Sequence, residues 1–249
     1  MLLDLFDLNN VAIVLDVDGT FLDVTPTTYD VYVPSSLRHT LSGVSVPAGG
    51  ALALVSGRPL RDIDLLFAPL HLPAIGGHGA EIRPSANGYV DARRATSLDH
   101  DLKQRLKEIA VRHPGVAVED KGYSLGLHYH SAIERELEVI NDVFRICKIF
   151  QPDSYELVTG RDNIEVKAVG FDKGSAVREL MTHPPFAGRT PIFVGDDITD
   201  KTAFAVMPEF HGVAISVGRK VPGKLDTLQT PCDVRRWLER ISSDVVLRP

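Results

Sequence analysis

A run of apolar residues ending in two closely spaced aspartates constrains this chain more than any other feature. Residues 11–15 read Val-Ala-Ile-Val-Leu, and Asp16 and Asp18 follow directly, with Gly19 and Thr20 after them. Continuous apolar residues, three of them β-branched, predict a strand buried on both faces. Because ligands of open α/β sheets bind beyond the carboxyl ends of the strands, we expect both carboxylates at the mouth of a site.

The two carboxylates need compensation if they lie close together. Two unit charges about 4 Å apart repel by roughly 4 kcal/mol at an effective dielectric constant near 20. A shared proton, a cation or separation into different environments would relieve the repulsion. A hard divalent metal with oxygen ligands is the simplest of these. From the strand and its two acids alone, an aspartate turn that faces water remains an alternative.

A second apolar strand leads into a small polar turn. Residues 51–55 are continuously apolar, and Ser56, Gly57 and Arg58 separate them from a segment with helical spacing. The free backbone N–H groups and the positive dipole end of a helix favour an anion at this position. The Ser56 hydroxyl could add a donor and Arg58 a positive charge. A simple helix cap is the alternative interpretation.

Residues near the end of the chain repeat the first arrangement. A third apolar strand, 191–194, is followed by Asp196 and Asp200, so that two strands deliver carboxylates to one sheet edge. Lys173 begins another predicted helix, where its charge opposes the dipole and a nearby anion would offset that cost. Taken alone, Lys173 could equally be a solvated surface lysine.

The middle of the chain, residues 84–168, has a different pattern. Asn87-Gly88 is a strong hairpin signal, and helical and strand-like segments then alternate in the order typical of a small α+β domain with an antiparallel sheet. This segment interrupts the α/β pattern. We therefore predict a core formed by residues 1–83 and 169–249, with an α+β domain inserted between them.

Composition excludes several classes of protein. The net charge of −6 gives no basic excess for binding nucleic acid or a membrane surface. The two cysteines, Cys147 and Cys232, provide neither a disulfide framework nor a zinc site. No apolar run approaches 18 residues and no signal-like segment begins the chain, so we expect a soluble cytoplasmic protein, taken as a monomer.

These motifs resemble, in order, the four signatures of the haloacid dehalogenase (HAD) superfamily of phosphotransferases. The resemblance implies an α/β fold: a HAD-like doubly wound parallel-sheet core with an inserted α+β cap domain of the C2 type, which selects the substrate. Further motifs resemble the trehalose-6-phosphate phosphatase family of bacterial type over nearly the whole chain. They are Ser56-Gly57-Arg58, Gly77-His78-Gly79-Ala80-Glu81, Lys121-Gly122, Leu127-His128-Tyr129, Glu165-Val-Lys167, Lys173-Gly174 and the segment from Phe193 to Asp200.

The resemblance implies roles for individual residues. Asp16 would be the nucleophile and Asp18 the general acid/base, with Lys173 as a third catalytic residue. Mg²⁺ would be held by Asp16, Asp18 through its backbone carbonyl, and Asp196, with Asp200 in support. The substrate-binding residues implied by the matching motifs are Thr20, Ser56, Gly57, Arg58, His78, Glu119, Lys121, His128 and Glu165.

The implied activity is Mg²⁺-dependent hydrolysis of trehalose 6-phosphate to trehalose and phosphate through an aspartyl-phosphate. One alternative keeps the chemistry but changes the substrate to another sugar phosphate, such as sucrose phosphate or mannosyl-phosphoglycerate. Another is a sugar-phosphate-binding domain without catalysis. A dinucleotide-binding domain is disfavoured because the first βα turn lacks the G-x-G-x-x-G pattern.

Three positions depart from the family pattern. Phe21 replaces a usual leucine, which we expect to affect packing alone. Lys201 stands where the family usually has an acid, and His130 where arginine is common. The departure at Lys201 concerns the surroundings of the metal, and the departure at His130 concerns one sugar or phosphate contact.

Overall fold

The computed structural model describes residues 7–23, 31–92, 95–150, 154–160, 162–196, 198–218 and 226–246. The strands are β1 (Val11–Asp16), β2 (Leu52–Val55), β3 (Ala74–Gly76), β4 (Glu81–Arg83), β5 (Ala117–Asp120), β6 (Ser124–His128), β7 (Tyr155–Thr159), β8 (Asn163–Ala168), β9 (Thr190–Gly195), β10 (Val213–Val217) and β11 (Asp226–Leu228). The α-helices are α1 (Ser35–Ser45), α2 (Leu60–Phe67), α3 (His100–Arg112), α4 (Glu136–Cys147), α5 (Lys173–Leu180), α6 (Lys201–Val206) and α7 (Pro231–Val246).

The chain divides into two compact units. The first consists of Met1–Ala92 with Asp172–Pro249, and the second of Arg93–Phe171. The structure places the turn around Asn87 in the first unit, where an antiparallel bridge pairs Ile82 with Asp91. The second unit therefore begins later than position 84, and its role as a substrate-selecting cap stays a prediction.

A seven-stranded sheet, in the order β11-β10-β9-β1-β2-β3-β4, forms the centre of the first unit. Neighbouring strands run parallel, except that β4 is antiparallel to β3. Both faces of β1 are buried, as its apolar run predicts. Ile13 shares one core with Leu41 of α1 and Trp237 of α7, whereas Val14 shares the other with Phe204 of α6. The predicted α/β fold is confirmed.

The second unit contains a four-stranded antiparallel sheet in the order β5-β6-β8-β7, together with α3 and α4. Side chains alternate between the two faces of each strand. One face of the sheet buries Leu125, Leu127, Ile164 and Val166. The opposite face carries the polar residues of β6 and β8. In neither unit does a described helix have the length and apolar character required to cross a membrane.

Candidate active site

Three carboxylates converge where β1 and β9 end. Asp16 is the last residue of β1, and the parallel pairing of β1 with β9 brings Asp196 beside it. Asp200 follows in a short 3₁₀ turn. One carboxylate oxygen from each of these residues lies within 4.8 Å of the other two. We call Asp16, Asp196 and Asp200 the acid cluster, and its hard oxygen donors fit a divalent cation.

Lys173 contacts the acid cluster from the first turn of α5. The Asp172 side chain caps this helix by accepting a hydrogen bond from the backbone N–H of Ser175. Lys173 Nζ lies 2.6 Å from Asp16 Oδ1 and 2.7 Å from Asp200 Oδ1, and all three residues are buried. Burial opposes the charged form of Lys173, but its two carboxylate partners outweigh burial and raise its pKa above the usual range.

The acid cluster retains excess negative charge. Three carboxylates and one ammonium carry a formal charge of −2. Burial, and then the charge of Asp200, raises the pKa of Asp16 well above its ordinary value, against the opposing charge of Lys173. A divalent cation would neutralise this excess, so the electrostatics of the site and its ligand atoms fit the same kind of metal.

The turn after β1 supports the acid cluster. Thr20 Oγ1 lies 2.8 Å from Asp16 Oδ2 and 3.0 Å from Asp196 Oδ1, so its hydroxyl can donate to either carboxylate. Gly19 has a left-handed backbone, with φ of 82°. A Cβ atom at this position would lie 2.3 Å from Asp196 Oδ2, so the turn needs glycine for its conformation and for space.

The Asp18 side chain faces Arg58. Arg58 donates to Asp18 through Nε at 2.9 Å and through Nη2 at 2.7 Å, in a bidentate pair. Ser56 Oγ also donates to Asp18, at 3.3 Å. Arg58, expected from the sequence to meet phosphate, thus holds the predicted general acid/base in this structure.

The segment from Gly77 to Glu81 supports the Ser56–Arg58 turn. The backbone N–H of Gly77 donates to the carbonyl of Arg58, and that of His78 to the carbonyl of Ser56. His78 has φ of 56°, and its ring lies over Gly57. Gly57 thus lies in this turn and His78 in the segment that supports it. Their substrate contacts stay predictions.

Glu81 was named only as part of a matching motif, and sequence reasoning missed its role in the site. Its Oε2 accepts a hydrogen bond of 2.6 Å from the backbone N–H of Leu60, the first residue of α2. One of the N–H groups expected to bind an anion is therefore already used. Glu81 is 21 residues from Leu60, so no local capping pattern indicates the contact.

The four predicted sugar-contacting residues of the second unit lie together. We call Glu119, Lys121, His128 and Glu165 the sheet cluster. Lys121 Nζ lies 3.1 Å from Glu165 Oε2 and 3.7 Å from Glu119 Oε2, and His128 Nε2 lies 3.2 Å from Glu119 Oε2. Burial raises the pKa of Glu119, but His128 and Lys121 outweigh it, and the pKa lies below its ordinary value.

Comparison with known proteins gives a consistent result. A family model described as "Trehalose-phosphatase" matches residues 14–230. A probable trehalose-phosphate phosphatase of Sinorhizobium fredii is 39% identical over 216 residues, which cover 87% of this chain and 81% of that protein. The trehalose-6-phosphate phosphatase of Escherichia coli is 34% identical over 229 residues, which cover 92% of this chain and 85% of that protein.

Solved structures share the fold. The C-terminal domain of the Candida albicans trehalose-6-phosphate phosphatase matches with a TM-score of 0.81 at 18% identity. The match covers 94% of this chain and 92% of that one. At this identity the similarity concerns the fold, which extends across both compact units of the present chain.

Proposed function

Because the chain belongs to the trehalose-phosphatase family of the HAD superfamily, we propose that it hydrolyses trehalose 6-phosphate to trehalose and inorganic phosphate. The observation that carries this proposal is the acid cluster in contact with Lys173. It combines a carboxylate nucleophile with the ligands of a divalent metal, and phosphoryl transfer through an aspartyl group requires both.

We assign Mg²⁺ as the metal. Asp16 and Asp196 would hold it with Asp200 in support, and the family resemblance adds the backbone carbonyl of Asp18. The formal charge of −2 on the acid cluster with Lys173 supports a divalent ion. When bound, Mg²⁺ reduces the repulsion between a carboxylate and a phosphate dianion.

In the first step, a carboxylate oxygen of Asp16 attacks phosphorus. The bond from phosphorus to the sugar oxygen breaks, an aspartyl-phosphate forms, and Asp18 donates a proton to the departing oxygen. Lys173 and Thr20 contact the two oxygens of Asp16 and fix the carboxylate before substrate arrives. Enzymes accelerate phosphate monoester hydrolysis by up to about 10²¹-fold, and such positioning contributes to that acceleration.

In the second step, water attacks the phosphorus atom of the aspartyl-phosphate. Asp18 takes the proton from this water, the bond between Asp16 and phosphorus breaks, and inorganic phosphate leaves. Arg58 and Ser56 orient the Asp18 carboxylate. The family resemblance also implies that Ser56, Thr20 and Lys173 contact the phosphoryl group.

The sheet cluster would bind the sugar. Its carboxylates accept hydrogen bonds from hydroxyl groups, its ammonium donates them, and its imidazole can do either according to its tautomer. The ion pairs within the cluster hold these groups in defined positions, which reduces the entropy lost when a sugar binds. The inserted unit would therefore select the substrate.

Measurement of phosphate release from trehalose 6-phosphate, with Mg²⁺ or with a chelator, tests the proposal. Glucose 6-phosphate and sucrose phosphate are measured in parallel. We expect the fastest release from trehalose 6-phosphate and none with the chelator. Faster release from another sugar phosphate would change the substrate but keep the chemistry. Binding of these compounds without release of phosphate from any of them would refute the enzymatic function.

A further inference from the structure

Gly126 occupies the centre of the polar sheet face in the second unit. The strand register places it opposite Glu119 of β5 on one side and opposite Glu165 of β8 on the other. Residues directly opposite each other on neighbouring strands share a face of the sheet. The two carboxylates of the sheet cluster therefore flank a position that has no side chain.

The His128 ring lies over this position. His128 is two residues beyond Gly126 in β6, so both are on the same face. A Cβ atom on Gly126 would lie 3.2 Å from His128 Nε2 and 3.9 Å from Glu119 Cβ. The same Nε2 atom contacts Glu119 Oε2 at 3.2 Å. The ring therefore bends back along the strand to reach its carboxylate, across the space that a side chain at position 126 would enter.

Backbone conformation does not explain the glycine. Gly126 is not among the glycines with positive φ, so its conformation is open to any L-residue. A β-branched residue would normally be favoured in a strand, where glycine costs stability. The structure instead shows a steric obstacle, because the His128 ring would crowd a side chain at this position.

We propose that Gly126 is a positioning residue for sugar recognition, because its missing side chain lets the His128 ring lie against the sheet and pair with Glu119. This inference rests on the proposed function, with trehalose 6-phosphate as the substrate. A larger residue would push the imidazole away from Glu119 and fill space above the sheet. The groups of the acid cluster would not change, so the effect should fall on substrate binding rather than on the chemical step.

The test compares Gly126→Ala and Gly126→Val with the matched control Ser124→Ala. Ser124 is on the same strand and the same face, it is buried, and its hydroxyl has no hydrogen-bond partner among the described residues. KM and kcat for trehalose 6-phosphate are measured with Mg²⁺, and thermal unfolding checks that each variant is folded.

We expect KM to rise about 3-fold in Gly126→Ala and at least about 10-fold in Gly126→Val, with kcat within about 2-fold of the original chain. Ser124→Ala should leave both constants unchanged. In a His128→Ala background, Gly126→Ala should have no further effect, because the ring that it displaces is absent.

The possible failures are distinguishable. If the unaltered chain releases no phosphate from trehalose 6-phosphate, the proposed function is wrong, and this inference fails with it. If the unaltered chain is active but folded Gly126→Ala keeps its KM, the inference is overturned and the function stands. An equal effect of Gly126→Ala with and without the His128 ring would likewise overturn the positioning role.

Discussion

Replacement of Lys173 by methionine removes the ammonium group that contacts the acid cluster. Lys173 Nζ is 2.6 Å from Asp16 Oδ1 and 2.7 Å from Asp200 Oδ1, and all three groups are buried. Methionine keeps most of the length and apolar volume of the side chain. The substitution therefore tests the charge of Lys173 rather than its packing.

The expected cost follows from the charges left behind. Removal of one partner from a buried ion pair typically destabilises a protein by about 3–5 kcal/mol. Here the formal charge of the group changes from −2 to −3, because three carboxylates remain together. We therefore expect the free energy of unfolding at pH 7, in the presence of a chelator, to fall by about 3–5 kcal/mol. Added Mg²⁺ should restore part of this loss by binding the folded state.

Urea denaturation followed by tryptophan fluorescence measures this change. Trp237 is the single tryptophan of the chain and is buried in the first unit, so its emission reports the unfolding of the unit that contains the acid cluster. Lys201→Met is the matched control, because Lys201 is an exposed lysine at the start of α6. A loss below about 1 kcal/mol for Lys173→Met, or a loss equal to that of the control, would refute the electrostatic argument.

Three further predictions concern other parts of the molecule. Asp16→Asn should lower phosphate release at least about 10³-fold while the thermal unfolding curve still shows a folded protein, since the nucleophile is lost; near-normal turnover would refute the assignment. Gly19→Ala should weaken Mg²⁺ binding, measured by calorimetry, at least about 10-fold, because its Cβ displaces Asp196; unchanged affinity would contradict this. Burial raises the pKa of Asp120, but hydrogen bonds from two lysines of α3 outweigh it and lower the pKa to about 2. The resulting stabilisation is complete above the unfolded pKa and is lost as the pH falls through the folded pKa. Asp120→Asn should therefore cost about 1 kcal/mol at pH 7, allowing for exposure, and the cost should shrink as the pH falls and disappear below the folded pKa; a difference independent of pH would argue against it.

Features encoded over a few neighbouring residues could be predicted from the sequence. The apolar run before Asp16 indicates a strand buried on both faces, and the structure confirms it as the central β1. The segment with helical spacing that follows Ser56, Gly57 and Arg58 is also a helix, α2. Such patterns suffice because strand and helix burial repeat with short periods along the chain.

Contacts between distant residues could not be predicted in the same way. The side-chain pair of Arg58 and Asp18 spans 40 residues, and the hydrogen bond from Leu60 to Glu81 spans 21. From its position in the sequence alone, a charged residue such as Arg58 or Glu81 is equally compatible with solvent or with a ligand. Which partner it meets depends on how the strands pair and where each loop turns.

By itself, the sequence determined the α/β fold, the family, and the residue types from which a phosphatase site can be built, since short hydrophobic periods and contiguous motifs carry that information. The sequence also predicts that Asp16, Asp196 and Asp200 converge, but the tertiary structure alone decided that the buried Lys173 ammonium group contacts both Asp16 and Asp200. It also decided that the His128 ring lies over Gly126. Electrostatic and steric energies depend on distances through space, and parallel strand pairing brings together residues that are far apart along the chain.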